Sequence, residues 1–439
     1  MQLVAVNWHV YELLRGQTMT IAPFGREIAL GTDALALGGL GLARIAPIIF
    51  FALLGGLAAD TWDRRRVMIG ATLAALASSI ALAAVTFSGQ VSVAWLYGLT
   101  AAGAAAFAFD EPARQAIVPN LVPRRDVVNA VSLNTVLWFT ASVVGPAVAG
   151  VLIAVVGLAW VYALDALSFL LVLAALLAMR HRGRPGDVAD GGEEVAGDPA
   201  PDQDLAVLRD ATAAARARRS DRAGVSRGVE PSTTTTSGWS RLLEGIRFTF
   251  RHRLIWSTML LDFGATFFGS ARTMLPLIAG EVLGLGASGY GLLATAQPLG
   301  AIAAGVTLAA RPPLRRQGRW LLAGVAVYGA ATAAFGLSSV LALSYVLFAA
   351  TGAGDTISTV IRGTIRQLTT PDDLRGRMTG VNMVFFMGGP QLGELEAGLV
   401  AAALGAPFAI VTGGVAVVVL TGWVAWRYPS LREYEGETG

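Results

Sequence analysis

Gly56–Arg66 reads GLAADTWDRRR and lies between two long apolar runs. An acidic residue, Asp60, stands near the end of the first run, and the arginines Arg64 to Arg66 open the second. Arginine-rich loops between apolar segments are retained on the cytoplasmic side of a membrane. The stretch therefore predicts a short cytoplasmic loop between two membrane helices, which the apolar runs on either side would form.

The composition is typical of a chain that crosses a membrane many times. Of the 439 residues, 54% are hydrophobic and 14% are charged, whereas soluble domains carry about 25% charged residues. There are no cysteines, which excludes disulfides, thiolate metal sites and cysteine nucleophiles. The net charge is +3, but the arginines lie in short loops and form no basic domain, so nucleic acid is not an expected partner.

Eleven apolar runs are long enough to cross a bilayer, which takes about 20 residues. They lie near 35–59, 66–87, 91–117, 131–156, 159–180, 254–280, 287–310, 319–338, 341–366, 378–404 and 406–427. A shorter apolar stretch from Met1 to about Leu14 precedes them. We interpret it as the outer half of a first helix, which predicts an all-α protein of twelve helices with a truncated start.

The arginines occur in alternate connections between these runs. They are absent from the intervening turns near 88–90, 156–159, 338–340 and 404–406. The arginine-rich side is therefore predicted to be cytoplasmic, which gives a multi-pass protein of a bacterial inner (plasma) membrane. The segment 15–34 carries Arg15 and Arg26 and is the exception, because the alternation places it outside.

The two halves of the sequence are related. Five residues recur with a constant separation of 248 positions: Arg114, Pro123, Asn134, Gly145 and Gly150 return as Arg362, Pro371, Asn382, Gly393 and Gly398. This predicts two six-helix halves related by duplication, with a substrate held between them near the midplane, which is a transporter architecture. The predicted divisions are an N-terminal half (1–180), a disordered cytoplasmic linker (181–238), an interfacial amphipathic helix (239–253), a C-terminal half (254–430) and a cytoplasmic tail (431–439).

The loop, the duplication and the long linker together resemble the Major Facilitator Superfamily. The superfamily's loop motif is matched by Gly56, Asp60, Arg64 and Arg65. Thr61 and Asp63 depart from it, because they replace an arginine and a glycine. A second motif, found in helix five of proton-linked exporters, is matched by Gly145, Pro146 and Gly150. Its alternative role is simply to let two helices pack closely.

Four further strings resemble the siderophore-exporter and drug:proton antiporter branch of the superfamily. They are DEPARQ at 110–115, YALDALSF at 162–169, PDDLRGR at 371–377 and GELEAG at 393–398. The resemblance implies a monomeric antiporter that exports a siderophore or another amphiphilic small molecule by alternating access. The proton motive force would drive it without a cofactor. A nutrient importer and a membrane scaffold or sensor that does not transport are the alternatives.

An enzyme is not expected, because no constellation of nucleophile and base or of metal ligands is present in the sequence. Charged residues within the predicted spans are instead the candidates for function, since burying a charge is costly. The candidates for binding substrate or protons are Arg44, Asp110, Glu111, Asp165, Asp262, Asp355, Glu394 and Glu396. Each has an alternative role in an ion pair that holds helices together.

Three carboxylates, Asp262, Asp355 and Glu394, are the preferred candidates because a carboxylate in an apolar cavity can exchange a proton near neutral pH. Glu394 and Glu396 are about 200° apart on a helix and should face different sides. Arg44 is expected either to contact an anionic cargo or to pair with one of the acidic residues at 110–111.

A cytoplasmic gate is predicted from a second set of residues. Its members are Gly56, Asp60, Arg64, Arg65, Arg114 and Arg362. We expect Arg114 to join Asp60 and so hold the outward-facing state. Asp60 has an alternative role as the cap of a helix N-terminus, and the two repeat-related arginines have a structural alternative.

Overall fold

The computed structural model describes residues 1–22, 27–118, 121–123, 126–179, 247, 250–312 and 314–436. The predicted linker at 181–238 and most of the predicted interfacial helix at 239–253 lie outside these residues. The predictions made for those two segments therefore remain predictions.

Helices account for nearly all of the described chain. In chain order the elements are α1 (Gln2–Leu14), β1 (Thr18–Ile21), β2 (Ile28–Gly31), α2 (Thr32–Thr61), α3 (Arg64–Phe87), α4 (Val93–Ile117), α5 (Val127–Val156), α6 (Leu158–Ala178), α7 (Arg253–Phe268), α8 (Leu275–Leu277), a π-helical turn (Ile278–Val282), α9 (Ala287–Ala309), α10 (Gln317–Leu337), α11 (Leu341–Thr369), α12 (Asp372–Leu404), α13 (Ala406–Arg427) and α14 (Pro429–Arg432). By length and composition, eight of the described helices can cross a membrane. The all-α, multi-pass architecture is confirmed.

Ten of the eleven predicted runs coincide with one helix each, but the run at 254–280 does not. Helix α7 ends at Phe268, and α8 begins only at Leu275. The hydroxyl of Tyr328 donates a hydrogen bond of 2.7 Å to the carbonyl of Gly269, in the break between them. A glycine at the end of α7 and Pro276 at the start of α8 both favour interruption of a helix. The prediction of one continuous span here was wrong.

The segment between α1 and α2 forms a β-hairpin that the sequence analysis missed. Strands β1 and β2 pair antiparallel, with Thr18 opposite Gly31 and Ile21 opposite Ile28. Gly31 faces the end of α12, since a Cβ added to it would lie 3.8 Å from the Cα of Ala402. The hairpin of the N-terminal half therefore contacts the C-terminal half.

The two halves, α1–α6 and α7–α14, meet along two glycine seams, defined here as the Gly38–Gly398 and Gly150–Gly291 contacts. A Cβ on Gly150 would lie 2.6 Å from the Cα of Gly291, and a Cβ on Gly398 would lie 2.6 Å from the Cα of Gly38. Small residues allow helix backbones to approach this closely. Gly150 and Gly398 are repeat mates in the sequence, so the duplication is visible in the packing.

All four seam glycines lie near a helix end. Gly150, Gly291 and Gly398 are next to loops without arginine, and Gly38 is next to the hairpin. A large apolar core surrounds the seams and continues across both halves. Trp8 of α1 stacks on Tyr290 of α9, with ring centroids 5.5 Å apart, and both side chains are buried. The halves are therefore closed against each other at the arginine-poor end.

Candidate functional site

A polar cavity of about 320 Å³ lies between the two halves. Its wall combines residues of α2, α9, α10, α11 and α12 with the break between α7 and α8. Four charged side chains line it: Arg44, Arg272, Asp355 and Glu394. Charges at membrane depth usually face such a cavity or a partner, so this cavity is the candidate functional site.

An ion pair joins the halves at this cavity. The guanidinium of Arg44 on α2 lies 3.6 Å from the carboxylate of Glu394 on α12, and the two side chains are only 13% and 10% exposed. Arg44 also donates a hydrogen bond of 2.8 Å to the side chain of Asn7 on α1. Gly41 makes room for the carboxylate, because a Cβ there would lie 2.9 Å from Glu394 Oε2.

The pairing of Arg44 corrects its expected partner and leaves polar atoms of the pair unsatisfied. Neither of the acidic residues at 110–111 is its partner; the partner comes from the other half of the molecule. Glu394 Oε2 and Arg44 Nε are both buried without a hydrogen bond within the described residues. A buried pair with unsatisfied atoms adds little net stability. Loss of the charge on one partner would leave the other charge buried and uncompensated, and this would alter the contact between the halves.

A second charged cluster extends from the cavity into the C-terminal half. Arg362 on α11 lies 2.9 Å from Asp262 on α7, and both side chains are 2% exposed. Arg366 approaches the same carboxylate at 3.8 Å. Asp355, which lines the cavity, lies 4.0 Å from Arg362. Two of the preferred carboxylates therefore belong to one network, and Arg362 has its ion-pair partners in its own half.

A larger cavity, of about 510 Å³, lies against the N-terminal half. It shares Arg44 and Gln391 with the polar cavity, and its walls include Phe107 and Phe169. Asp110 also lines it and pairs with Arg114 of the same helix at 2.8 Å. The two cavities together offer one polar and one mainly apolar surface on either side of Arg44.

Four of the candidate residues do not line these cavities, and one of them is Asp262, which belongs to the Arg362 cluster described above. Glu111 accepts a hydrogen bond from Gln115 at 2.7 Å on the exposed side of α4. Asp165 is buried on α6 and accepts a hydrogen bond from Ser79 of α3 at 2.8 Å. Glu396 is absent from both cavity walls, in keeping with the expectation that it faces a different side from Glu394.

The predicted gate residues make contacts within the N-terminal half in this conformation. Arg64 donates hydrogen bonds to the carbonyls of Ala59 and Ala116, at 3.1 and 3.0 Å. Arg65 donates to the carbonyls of Leu176 and Leu177, at 2.7 and 2.8 Å. Arginines at helix C-termini satisfy the free carbonyls of the last turn. The two side chains thus join the ends of α2, α4 and α6.

The remaining gate and motif residues have distinct places. The side chain of Asp60 lies outside the described part, so its proposed contact with Arg114 remains a prediction. Asp63 is the N-cap of α3, where its side chain accepts from the amides of Arg65 and Arg66. In the helix-five motif, Pro146 lies inside α5. A Cβ on Gly291 would lie 2.6 Å from the Pro146 carbonyl, which fits the close-packing role.

Sequence reasoning assigned no role to Arg272, which lines the polar cavity, or to Asn7, which accepts the hydrogen bond from Arg44. Arg272 was detectable as a charge inside the apolar run at 254–280. Asn7 is an uncharged residue in a short apolar stretch, and no pattern in the sequence distinguishes it.

Comparison with known families decides the class of the protein. The sequence model of MFS_3, described as transmembrane secretion effector, matches residues 33–193 and 229–438. The chain belongs to this family. It is therefore a transporter of the Major Facilitator Superfamily and not an enzyme, as the sequence predicted.

Its relatives include exporters. The chain is 24% identical over 356 residues to the enterobactin exporter EntS of Shigella boydii serotype 4, covering 81% of this chain and 74% of the relative. It is 25% identical to EntS of Citrobacter koseri, with the same coverage. The chain therefore resembles this branch of the superfamily, which implies a small-molecule substrate and a place in the membrane.

Solved structures agree on the fold. A POT family transporter in complex with 5-aminolevulinic acid superposes with a TM-score of 0.66 at 11% identity, covering 98% of this chain and 93% of that one. A bacterial homolog of the human lysosomal transporter Spinster, inward-facing and unoccupied, gives a TM-score of 0.62 at 15% identity, with 100% and 96% covered. At these identities the likeness concerns the fold alone.

Proposed function

We propose that this MFS_3 transporter is a proton-coupled exporter of a siderophore or another amphiphilic small molecule. It works as a monomer in the bacterial plasma membrane and is driven by the proton motive force, without a cofactor. The observation that carries the proposal is the Arg44–Glu394 pair, since it joins a carboxylate of one half to a cation of the other at the cavity. Export is supported by the relatives named as enterobactin exporters.

The coupling step follows from the charge of Glu394. As a carboxylate, it attracts Arg44 and holds the halves together at the cavity. Protonation removes this attraction, which is stronger in the low dielectric of a protein interior than in water. While Glu394 is ionised, its Oε2 atom has no hydrogen-bond partner among the described residues and can accept a hydrogen bond from a hydroxyl of the cargo. Protonation weakens this contact as well as the pair with Arg44, so the cargo leaves when the proton binds. Proton and cargo thereby bind in alternation, which is the requirement of an antiporter.

The conformation suits loading from the cytoplasm. The glycine seams close the halves at the arginine-poor end, and the positive-inside rule assigns that end to the outside. Access to the cavity would then be from the cytoplasm, where an exporter collects its cargo. The Asp262–Arg362 network contributes Asp355 to the cavity wall as a second carboxylate that can take part in proton exchange.

The experiment uses inside-out vesicles that contain the protein and carry an imposed proton gradient. A catecholate siderophore, a cationic dye and a macrolide are added in turn while the internal pH is followed. Cargo-triggered release of protons supports antiport. Movement of proton and cargo in the same direction would indicate uptake instead, and a folded protein that responds to none of the compounds would contradict transport of this class.

Matched variants locate the coupling. Glu394→Gln and Asp355→Asn should each abolish proton movement while cargo binding persists, because each replaces a carboxylate by a group of similar shape. Glu396→Gln is the control on the same helix and should leave coupling intact. Full coupling in both Glu394→Gln and Asp355→Asn would overturn the assignment.

A further inference from the structure

We propose that Arg272 binds the acidic group of the cargo, so that the polar cavity selects anionic amphiphiles. The inference rests on the proposed function and specifies its substrate class. It assigns binding and selection to Arg272, and it leaves proton coupling to the Arg44–Glu394 pair.

The backbone around Arg272 directs this side chain into the cavity. Arg272 lies in the break between α7 and α8 and is exposed, whereas its neighbours Ala271, Thr273 and Met274 are at most 4% exposed. The following residues up to Ala279 are also buried. Because Arg272 lines the polar cavity, its exposed surface faces the space between the halves.

The break itself is fixed by close packing. Tyr328 of α10 donates its hydroxyl hydrogen to the carbonyl of Gly269. A Cβ on Gly269 would lie 2.6 Å from that hydroxyl oxygen, so glycine is needed for the phenol to reach the backbone. Tyr328 also lines the polar cavity. A side chain held on a fixed backbone binds with less loss of conformational freedom than one on a mobile loop.

Arg272 is the charge left over when the ion pairs at the site are assigned. Glu394 pairs with Arg44, and Asp262 pairs with Arg362 and Arg366. Asp355 lies nearest to Arg362. Within the described residues, no carboxylate lies within ion-pair distance of Arg272. The cavity therefore holds an unpaired cation, and an anionic ligand is the chemistry that complements it.

Arg44 is less suited to be the first contact of the cargo. It is held by Glu394 and by the side chain of Asn7, and it is largely buried. A ligand must displace these partners to reach it, whereas Arg272 is already accessible. The cargo would therefore bind to Arg272, while Arg44 keeps its partners Glu394 and Asn7.

Binding to the purified protein in lipid nanodiscs tests this inference separately from transport. The probes are a catecholate siderophore, its fully O-methylated neutral analogue and a cationic rhodamine dye. Arg272→Ala should weaken binding of the catecholate about 10- to 100-fold, as expected for loss of a hydrogen bond to a charged group. Binding of the neutral analogue should be unchanged.

Two variants complete the test. Arg272→Lys keeps the charge and should retain most of the affinity for the catecholate. Arg319→Ala removes an exposed arginine at the start of α10, away from the cavity, and should have no effect. Equal losses for the charged and neutral probes, or a wild-type protein that binds the dye but not the catecholate, would overturn the inference.

The two proposals fail in different ways. If the wild-type protein binds the catecholate through Arg272 but no cargo moves protons in vesicles, the proposed antiport is wrong and the binding role stands. If protons move with cargo but Arg272→Ala binds the catecholate as tightly as wild type, the antiport stands and the role of Arg272 is wrong.

Discussion

Arg114 and Arg362 occupy the same position in the two repeats, yet they are used differently. Arg114 is 42% exposed, and its partner Asp110 lies four residues away on the same helix. Arg362 is 2% exposed, and its partner Asp262 lies on a different helix. The duplication has kept the arginine and its helix and has changed the ion pair around it. The C-terminal half thus joins two helices at a point where the N-terminal half satisfies one helix locally.

The residue that accounts for this difference is the repeat mate of Asp110, which is Ser358. A serine there gives Arg362 no carboxylate four residues before it, and Asp355 of the same helix comes only within 4.0 Å. The hydroxyl of Ser358 is buried without a hydrogen-bond partner among the described residues. Asp262 supplies the missing charge from α7. The N-terminal arginine remains at the wall of the larger cavity, whereas the C-terminal one is locked inside its half.

The largest effect is expected from Asp262→Asn. Removing one partner of a buried ion pair leaves the other charge uncompensated and costs about 3–5 kcal/mol. The measurement is thermal unfolding in detergent. Asp110→Asn is the matched variant in the N-terminal half and should cost no more than about 1 kcal/mol, because the partly exposed Arg114 remains solvated without its partner. Equal losses in both halves would show that the two arginines are used alike.

Variants at the glycine seams test whether the repeat-related glycines of the two halves have the same role in holding the halves closed. Gly398→Ala and Gly150→Ala each place a Cβ against the backbone of the other half, and overpacking of this kind costs about 1–3 kcal/mol. Both should shift the protein toward a state that is open at the arginine-poor end. Because the chain has no cysteine, a single introduced cysteine near that end reports its accessibility to a thiol reagent.

Gly422→Ala provides the control for the seam variants. It lies on α13, where a Cβ would have nothing within 4 Å. Alanine should therefore be tolerated there or slightly stabilising. Unchanged thiol accessibility in both seam variants would contradict the role of the seams in holding the halves closed.

A smaller effect is expected from a variant that gives the C-terminal half the ion pair of the N-terminal half. In the Asp262→Asn background, Ser358→Asp gives Arg362 a carboxylate four residues away, as Arg114 has. The new pair should recover stability on the order of 1 kcal/mol. The same substitution in the wild-type protein should destabilise it, because it adds a third carboxylate to a paired cluster. No recovery in the double variant would mean that Arg362 requires its partner on α7.

The smallest effect is expected at the arginine-rich ends of the N-terminal helices. Arg65→Ala removes hydrogen bonds to two carbonyls of α6 and should cost about 0.5–1.5 kcal/mol. Arg66→Ala is the neighbouring control, since that side chain is 86% exposed and only 4.0 Å from Asp63. Chemical or thermal unfolding distinguishes the two. A loss at Arg66 as large as at Arg65 would contradict the capping role.

Much of the fold was readable from the sequence, because apolar length and arginine alternation act locally along the chain. Charges inside the spans, such as Asp262 and Glu394, were singled out from the sequence, and the structure buries both side chains. Their partners were not predictable, since helices distant in sequence meet only in the packed bundle. The expected pairing of Arg44 with an acidic residue at 110–111 was wrong for this reason, because its carboxylate comes from the opposite half.

Two other features were missed for different physical reasons. The break after Phe268 was hidden because the run at 254–280 stays apolar across it, and hydropathy does not report backbone continuity. The β-hairpin at 18–31 was missed because short strands with few alternating residues give a weak pattern. Arg272 became informative only when the break placed it in the cavity.

The glycine seams have a consequence for the speed of the conformational change. No side chain stands between the two backbones at either seam, so the halves can separate and rejoin there without any rotamer changing. Side-chain reordering would then contribute little to the activation barrier at these contacts. The barrier would instead come from breaking the Arg44–Glu394 pair and from separating the apolar contacts around the seams, such as the Trp8–Tyr290 stack.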